Sequence, residues 1–439
     1  MAVRGDVRRV RRGSCTRVTA TGSVLLALVL AVAGPVAAGA GPGAAGTEPG
    51  VTLEFWTIAL QPFFTDYVRG MIAAYERATA GVRVRWVDVQ FQAIEQKLLA
   101  ALAGGVPPDV VNLNTEMTIR LAQRGALVDM DAATPAEVRA RYFEGLWRSA
   151  QLDGRTYGVP WYVVPNVIAY NAALYRAAGL DPERPPATED AMIAHARQIK
   201  DRTGIYGFMP NVEGVRMLHR FQEAGLPILS ADGRRAVFNS AAHVAYLARY
   251  VALFRQDYFP EDTLRRGYLG ATERYSAGRL GMLITGPQFL LRVKTDNPEV
   301  YARTRVAPYP KGKGQTLHLA TMTLAVPRAS RHVREAVAFA LHVANDENQL
   351  AFSRRVVVFP STRRAAADPF FRQGGADAEA VARRVAAADL SLARDLSVVV
   401  PHQGDLFRVF REAIESAFYG RRTPQAALDW AVAEWNARL

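Results

Sequence analysis

Val51-Thr52-Leu53-Glu54-Phe55-Trp56 alternates apolar and polar residues before turning apolar, which reads as a strand, and the periodicity of the next sixty residues decides the fold. Phe64 to Thr79 carries Tyr67, Met71, Ile72 and Tyr75 at helical spacing. Val82-Arg83-Val84-Arg85-Trp86-Val87 alternates again and predicts a second strand. Phe91 to Ala103 predicts a helix with Ile94, Leu98, Leu99 and Leu102 on one face. Gly104-Gly105 closes that helix and Pro107-Pro108 blocks its continuation. Asp109-Val110-Val111-Asn112-Leu113 then reads as a short buried strand. Strand, helix, strand, helix, strand is the order of an α/β lobe with a parallel sheet. In such sheets ligands bind beyond the carboxyl ends of the strands.

The middle of the chain repeats the logic. Tyr157 to Pro165 leads into Val167-Ile168-Ala169-Tyr170-Asn171, with helices predicted near 172–178, 188–202 and 239–256. Leu280-Gly281-Met282-Leu283-Ile284 predicts a strand ending at Thr285-Gly286-Pro287, and His318 to Val326 predicts another. At the end, Leu406, Phe407, Phe410, Ile414, Ala417 and Phe418 form one helical stripe that Gly420 stops. Thr423 caps a last helix with Pro424 in its first turn. No internal repeat is visible.

The 439 residues suggest two or three domains, or two large lobes. Half the residues are hydrophobic and 22% are charged, which excludes a disordered chain or a disulfide miniprotein. The single Cys, Cys15, excludes an intramolecular disulfide, a cysteine zinc cluster and, beyond residue 15, a thiol nucleophile. Residues 1–40 read as a secretory signal peptide: six Arg in the first 17 residues, an apolar run from Val24 to Ala33, then the small residues Val36 to Ala40. Residues 41–50 read as a flexible leader. Beyond it no apolar run is long enough to span a membrane. Without residues 1–40 the chain holds 48 Lys and Arg against 40 acids, a charge of +8. The arginines are scattered in pairs without interleaved aromatics, so no nucleic-acid partner is expected.

The catalytic signatures G-x-S-x-G, H-E-x-x-H, G-x-x-x-x-G-K-[ST] and G-x-G-x-x-G are all absent from the sequence. Lys311-Gly312-Lys313-Gly314 reads as a turn. The seven histidines show no ligand spacing, and neither metal nor cofactor is expected. A glycosidase would need two carboxylates. Glu116, directly after a strand end, is the most suggestive acid, but no partner is marked. Trp56, Asn114, Glu116, Trp161, Tyr162, Asn211, Gln288 and Phe289 fall at strand ends or turns. Aromatic faces stack on sugar rings, and amides and carboxylates bond hydroxyls, so this mixture predicts a pocket for a small polar molecule.

Several segments, in order, carry a resemblance: VTLEFWT (51–57), KLLAALAGGVPPDVVNLN (97–114), LAQRGALVDMD (121–131), DGRTYGVPWYVVPNVIAYN (153–171), AGLDPERPPATEDAM (178–192), YSAGRLGMLITGPQF (275–289) and FYGRRTPQAALDWAVAEWN (418–436). Together they resemble the family 1 extracellular solute-binding proteins that deliver ligands to ABC importers, in particular the sugar-binding group with the maltose- and glycerol-3-phosphate-binding proteins. The resemblance implies a two-lobed, periplasmic-binding-protein-like (type II) α/β fold with a hinge and a ligand cleft between the lobes. Lobe one would be 51–163 plus 317–352 and lobe two 164–316 plus 353–439. It adds His318 and Phe359 to the cleft candidates. It implies a sugar or related solute as ligand, a membrane permease as partner, a monomer, no catalysis, and a periplasmic or extracytoplasmic location after signal cleavage. Relatives often carry Trp where this chain has Gln288, which implies a solute smaller or more polar than a maltodextrin. The other readings are a secreted glycoside hydrolase using Glu116, and a binding protein for glycerol phosphate, a polyol or another small polar solute.

Overall fold

A computed structural model describes residues 50–439 other than 92 and 391. The signal-peptide reading of 1–40, and all but the last residue of the leader, lie outside the described residues. The strands in chain order are β1 (Val51–Ile58), β2 (Val82–Val89), β3 (Val110–Asn114), the small hairpin β4 (Gln151–Leu152) and β5 (Arg155–Thr156), β6 (Val159–Pro165), β7 (Val167–Asn171), β8 (Tyr206–Phe208), β9 (Leu280–Thr285), β10 (Thr304–Pro308), β11 (Leu317–Ala325), β12 (Phe359–Pro360) and β13 (Ala393–Arg394).

They form two main sheets. The larger runs β12-β6-β11-β3-β1-β2, with β13 beside β11; the smaller runs β10-β7-β9-β8. β1 pairs in parallel with β2 and β3, as the opening sequence predicts. The larger sheet as a whole is mixed rather than parallel, because β11 runs antiparallel to both β3 and β6. The reason is connectivity: β11 arrives from the smaller sheet and enters the larger one from the end where β3 and β1 leave it. β12 also joins the larger sheet, opposite Val163 and Tyr162 of β6, so Phe359 and Pro360 sit with strands of lobe one although the resemblance places them in lobe two.

One aromatic core lies under the larger sheet. Phe55 packs on Trp161 (ring centroids 6.3 Å apart) and Phe339 (5.3 Å); Phe352 stacks on Trp161 (5.4 Å) and Tyr67 (5.0 Å). A bulge makes this possible. Pro160 faces Thr323 and Tyr162 faces the next residue, Met322, leaving Trp161 as the extra residue of β6. Strict alternation would send Trp161 and Tyr162 to opposite faces; across the bulge both rings contact Phe352. The second core belongs to the smaller sheet. Phe238, Phe410 and Trp435 pack edge to face there, and the helices Gln403–Phe418 and Pro424–Asn436 complete it. The Trp435 indole donates to the Leu406 carbonyl (2.8 Å), so its polar handle is satisfied.

Besides a short return to the larger sheet at β13, the chain crosses between the sheets at Asn166, at 309–316, and after β12 into the helix Ala378–Asp389, which packs on β7 and β10. Pro165, Pro308, Pro310 and Pro360 bracket these crossings. A buried polar cluster anchors the second crossing. Tyr309 donates its hydroxyl to Glu223 Oε2 (2.7 Å) and accepts from Arg220 (2.5 Å), while the His318 N–H donates to Glu223 Oε1 (3.2 Å). Gly312 and Gly314 let 311–316 lie against the end of helix Arg216–Glu223. A Cβ on Gly314 would stand 2.6 Å from the Gly225 nitrogen, and one on Gly312 would strike the Glu223 carbonyl. The Lys-Gly-Lys-Gly turn is thus a close-packed strap.

This packing makes two substitutions measurable. Trp161→Ala should cost about 3–5 kcal/mol in urea unfolding at pH 7, as removal of a fully buried large ring does. Tyr309→Phe should cost about 1–3 kcal/mol in the same assay, because Arg220 and Glu223 each lose a buried partner.

Candidate functional site

The carboxyl ends of β1, β2 and β3 and the ends of β8 and β9 supply the segments that carry the candidate residues. Asn114 ends β3 and caps the helix Thr115–Gln123, its side chain accepting from the Met117 N–H (2.8 Å). The cap points the helix start at the second sheet's helix Arg216–Glu223. Glu116, in the first turn, where the helix dipole favours a carboxylate, lies 3.8 Å from His219 Nε2. His219 stacks on His318 with centroids 4.3 Å apart. Thr115 donates to Asp395 (2.6 Å), the Leu396 N–H reaches His318 Nδ1 (3.4 Å), and Gln123 donates to the Val400 carbonyl (2.6 Å). The turn after β3 is therefore stitched to helix Arg216–Glu223 and to the segment 395–400.

Both histidines are held neutral. Burial, then the charge of Arg216, push His318 down to about 4, with Asp395 pulling the other way and Arg220 adding to the depression. Burial, His318, Arg216 and Arg220 hold His219 well below the usual imidazole range. Glu213, past the end of β8, has its carboxyl pushed up by burial, with Arg216 and Arg411 opposing. Gly267, at φ 36°, makes room for it: a Cβ there would strike the Glu213 carboxylate and stand 3.2 Å from Asn211 Oδ1. The next residue, Tyr268, is 37% exposed while its hydroxyl bonds Thr285 at the end of β9 (2.6 Å). Gly286 is as tight, since a Cβ would strike Val164 Cγ1 of β6 and the Gln288 amide. On the first sheet, Asp88 accepts from Thr57 Oγ1 (2.6 Å) and from the N–H groups of Leu60 (3.0 Å) and Gln61 (2.9 Å). This fixes the β1 loop and leaves Phe63 exposed after β1 and Phe91 exposed after β2.

The polar candidates sit at these ends. Asn114, Glu116, Asn211, Gln288 and His318 are half-buried, Glu116 and His318 meeting around His219, and Asn211 and Gln288 following β8 and β9. The aromatic candidates sit in cores instead. Trp161 and Tyr162 pack on Phe352, and Phe359 packs on Phe371 (5.1 Å). Phe289 is buried in a core of the smaller sheet. Trp56, buried on the flank of β1, donates to Glu54 (2.5 Å) under the Lys97 ammonium, 4.6 Å from the ring. Sequence reasoning passes over Phe63, Phe91, Glu213, Arg216, His219 and Tyr268. An aromatic directly after a strand end, as in Gln61-Pro62-Phe63 and Gln90-Phe91, is the signal that marks two of them.

Residues 70–379 match the family model described as bacterial extracellular solute-binding protein. The chain belongs to this family. Among solved structures, a periplasmic-binding protein of Synechococcus sp. MITs9220, provisionally assigned to oligosaccharides and crystallised with zinc, is 32% identical with a TM-score of 0.81, over 88% of this chain and 98% of that one. Among curated relatives, an uncharacterised lipoprotein of Streptomyces antibioticus is 25% identical over 84% of this chain and 82% of its own length. The diacetylchitobiose binding protein of Streptomyces coelicolor is 27% identical over 40% of this chain and 41% of its own. As an extracellular solute-binding protein the chain has the two-lobed, hinged fold of this family. Among the described residues no helix is long and apolar enough to cross a membrane, and no group of three or more His, Cys, Asp or Glu is placed to hold a metal.

The neutral histidine pair predicts a pH dependence. Unfolded histidines titrate near 6.5. A folded histidine held near 4 stays neutral, so between these values the unfolded chain binds more protons. Stability is full above about pH 6.5 and drains as the pH falls toward 4. The melting temperature should drop steadily from pH 7 to pH 5, and His318→Gln should flatten that slope in the same scan.

Proposed function

We propose that the chain is the extracytoplasmic receptor of an ABC importer and captures a carbohydrate-like solute in the cleft between its lobes, without catalysis. The observation that carries this reading is the cleft's composition. Half-buried amides and a carboxylate (Asn114, Glu116, Asn211, Gln288) and the exposed Glu213 stand at or just past strand ends, and the exposed rings of Phe63, Phe91 and Tyr268 stand on loops and a helix adjoining the same strands. Polar groups that bond hydroxyls next to flat apolar faces are the complement of a sugar ring. The sugar-binding relative of Streptomyces coelicolor supports the same solute class. The lobe boundaries proposed are 51–163 plus 317–352 and 164–316 plus 353–439, with 353–360, the segment that packs in the larger sheet's core and ends in β12, reassigned to the first lobe. The mature protein is proposed to act as a monomer after removal of residues 1–40, with a membrane permease as partner.

The mechanism is a population shift. A solute that touches both lobes only when they close stabilises the closed state by its differential affinity for it. Glu116 and His219 already meet across the two lobes, so the solute adds to a contact that the protein makes itself.

A thermal-shift screen of the protein from Thr47 onward, against neutral sugars, polyols and amino acids, tests the reading. A ligand at a hundred times its dissociation constant adds about 2.7 kcal/mol. One sugar family should raise the melting temperature and be recovered unchanged after incubation. No shift with any sugar removes the carbohydrate assignment, and product formation moves the case to a hydrolase. With the solute in hand, Glu116→Gln and Tyr268→Ala should each weaken binding tenfold or more in calorimetry while the unliganded protein melts within a few degrees of wild type.

A further inference from the structure

Beside the cleft, the segment leading into β12 on the larger sheet and the turn leaving β9 on the smaller sheet enclose a cavity of about 140 Å³. The residues that matter in it are Gln288, Ser353, Arg354, Arg355, Phe370 and Arg383. Three of the six are arginines. Arg354 is paired with Asp368 (3.2 Å). Arg355 and Arg383 have no carboxylate partner among the described residues. Arg355 bonds only the Ala351 carbonyl (3.0 Å) and lies 5.4 Å from the Tyr67 ring. Arg383 lies over Phe370, 4.1 Å from the ring centroid, and spends one nitrogen on the Gln373 carbonyl (2.7 Å). Its Nε has no protein partner. The one acid on the wall, Glu379, is engaged by the Tyr301 hydroxyl (2.5 Å) and by Lys294 (3.5 Å). The cavity therefore carries two guanidinium groups without a direct ion pair, Asp377 acting on Arg383 only through space.

The neutral groups point the same way. Ser353 is 1% exposed and its hydroxyl has no protein partner; the Gln288 amide oxygen is buried and unpartnered as well. A buried polar group left without a partner costs stability, and an amide turned about its last bond presents a donor in place of an acceptor. Ser353 Oγ–H, Arg383 Nε–H and a turned Gln288 amide are unpartnered donors packed within the cavity's wall, and the exposed Arg355 guanidinium stands with them beside a space the size of a small tetrahedral or planar oxyanion. Planar guanidinium groups bind phosphate and carboxylate by paired N–H bonds.

We propose that this cavity is an oxyanion subsite, which binds a phosphate or carboxylate group and, through Ser353 and Arg355 on one lobe and Gln288 on the other, ties the lobes together. As a subsite for the transported solute it rests on the proposed receptor function; as an anion site it does not. The chemistry is common to two sources, an anionic sugar derivative and a free inorganic oxyanion.

Calorimetry and thermal shift at constant ionic strength separate them. The probes are inorganic phosphate and sulfate against chloride, and glycerol 3-phosphate, hexose 6-phosphates and hexuronates against their neutral parents. Tenfold or tighter binding of an anionic sugar than of its parent is the expected result and assigns the subsite to the solute. A melting shift with phosphate or sulfate over chloride, without such discrimination among sugars, keeps the subsite and assigns it to the free ion. Arg355→Met, at an exposed position, and Arg383→Met, which keeps an apolar stem over Phe370, should each weaken the anion tenfold or more and leave any neutral-sugar affinity unchanged. If Arg383→Met fails to fold, Arg355→Met carries the comparison. No anion shifting the melt beyond chloride, with no anionic sugar preferred to its parent, overturns the proposal. Neutral sugars that bind while anions do not would overturn it and leave the receptor reading intact, and anions that bind while neutral sugars do not would do the reverse for the carbohydrate assignment.

Discussion

The buried cluster of Arg220, Glu223 and Tyr309 is the constraint on which the arrangement of the two lobes depends. A charge pair out of water is tolerated only when every remaining donor and acceptor is met. Here the partners come from three places in the chain: the helix Arg216–Glu223, the start of the second crossing at Tyr309, and the backbone of His318 at the head of β11. Because none can move without stranding a buried charge, the helix, the strap and the strand behave as one piece. That piece carries His219 and His318, so the pair facing Glu116 is positioned by the same bonds that anchor the hinge.

Much of the fold is legible in the sequence because it is written locally. Alternation in β1 and β2, the Gly-Gly and Pro-Pro stops before β3, and the Thr423-Pro424 start of the last helix each act within a few residues. Short strands such as Tyr206–Phe208 and Thr304–Pro308 escape notice because they exist only by pairing with distant partners, β9 and β7. The direction of β11 escapes for the same reason. The polar candidates are readable in their placement, because the strands before them are written locally, while their part in binding is proposed. The aromatic ones are not. A ring near a strand end serves a core as readily as a ligand, and the bulge at Trp161, set by the partner strand, decides the matter for Trp161 and Tyr162.

The proposed site is more polar than the sequence suggests. Its rings, Phe63, Phe91 and Tyr268, sit on loops and a kinked helix, held by Asp88 and by Thr285, while the large indoles are spent on the core. Rigid strand ends present the hydrogen-bonding groups and more adaptable segments present the apolar faces. This division suits a family of solute-binding proteins in which one scaffold serves many solutes, since specificity can change in the loops without disturbing the sheets.

The prolines at the crossings carry a thermodynamic consequence. Each fixes one backbone torsion and offers no N–H to a ladder, so the connections at Pro165, Pro308, Pro310 and Pro360 have little disorder to lose when the lobes come together. Ordering a flexible connection would cost about 1–2 kcal/mol per residue fixed. To the extent that these torsions are already set in the unliganded state, less of the binding free energy is consumed in ordering the joint.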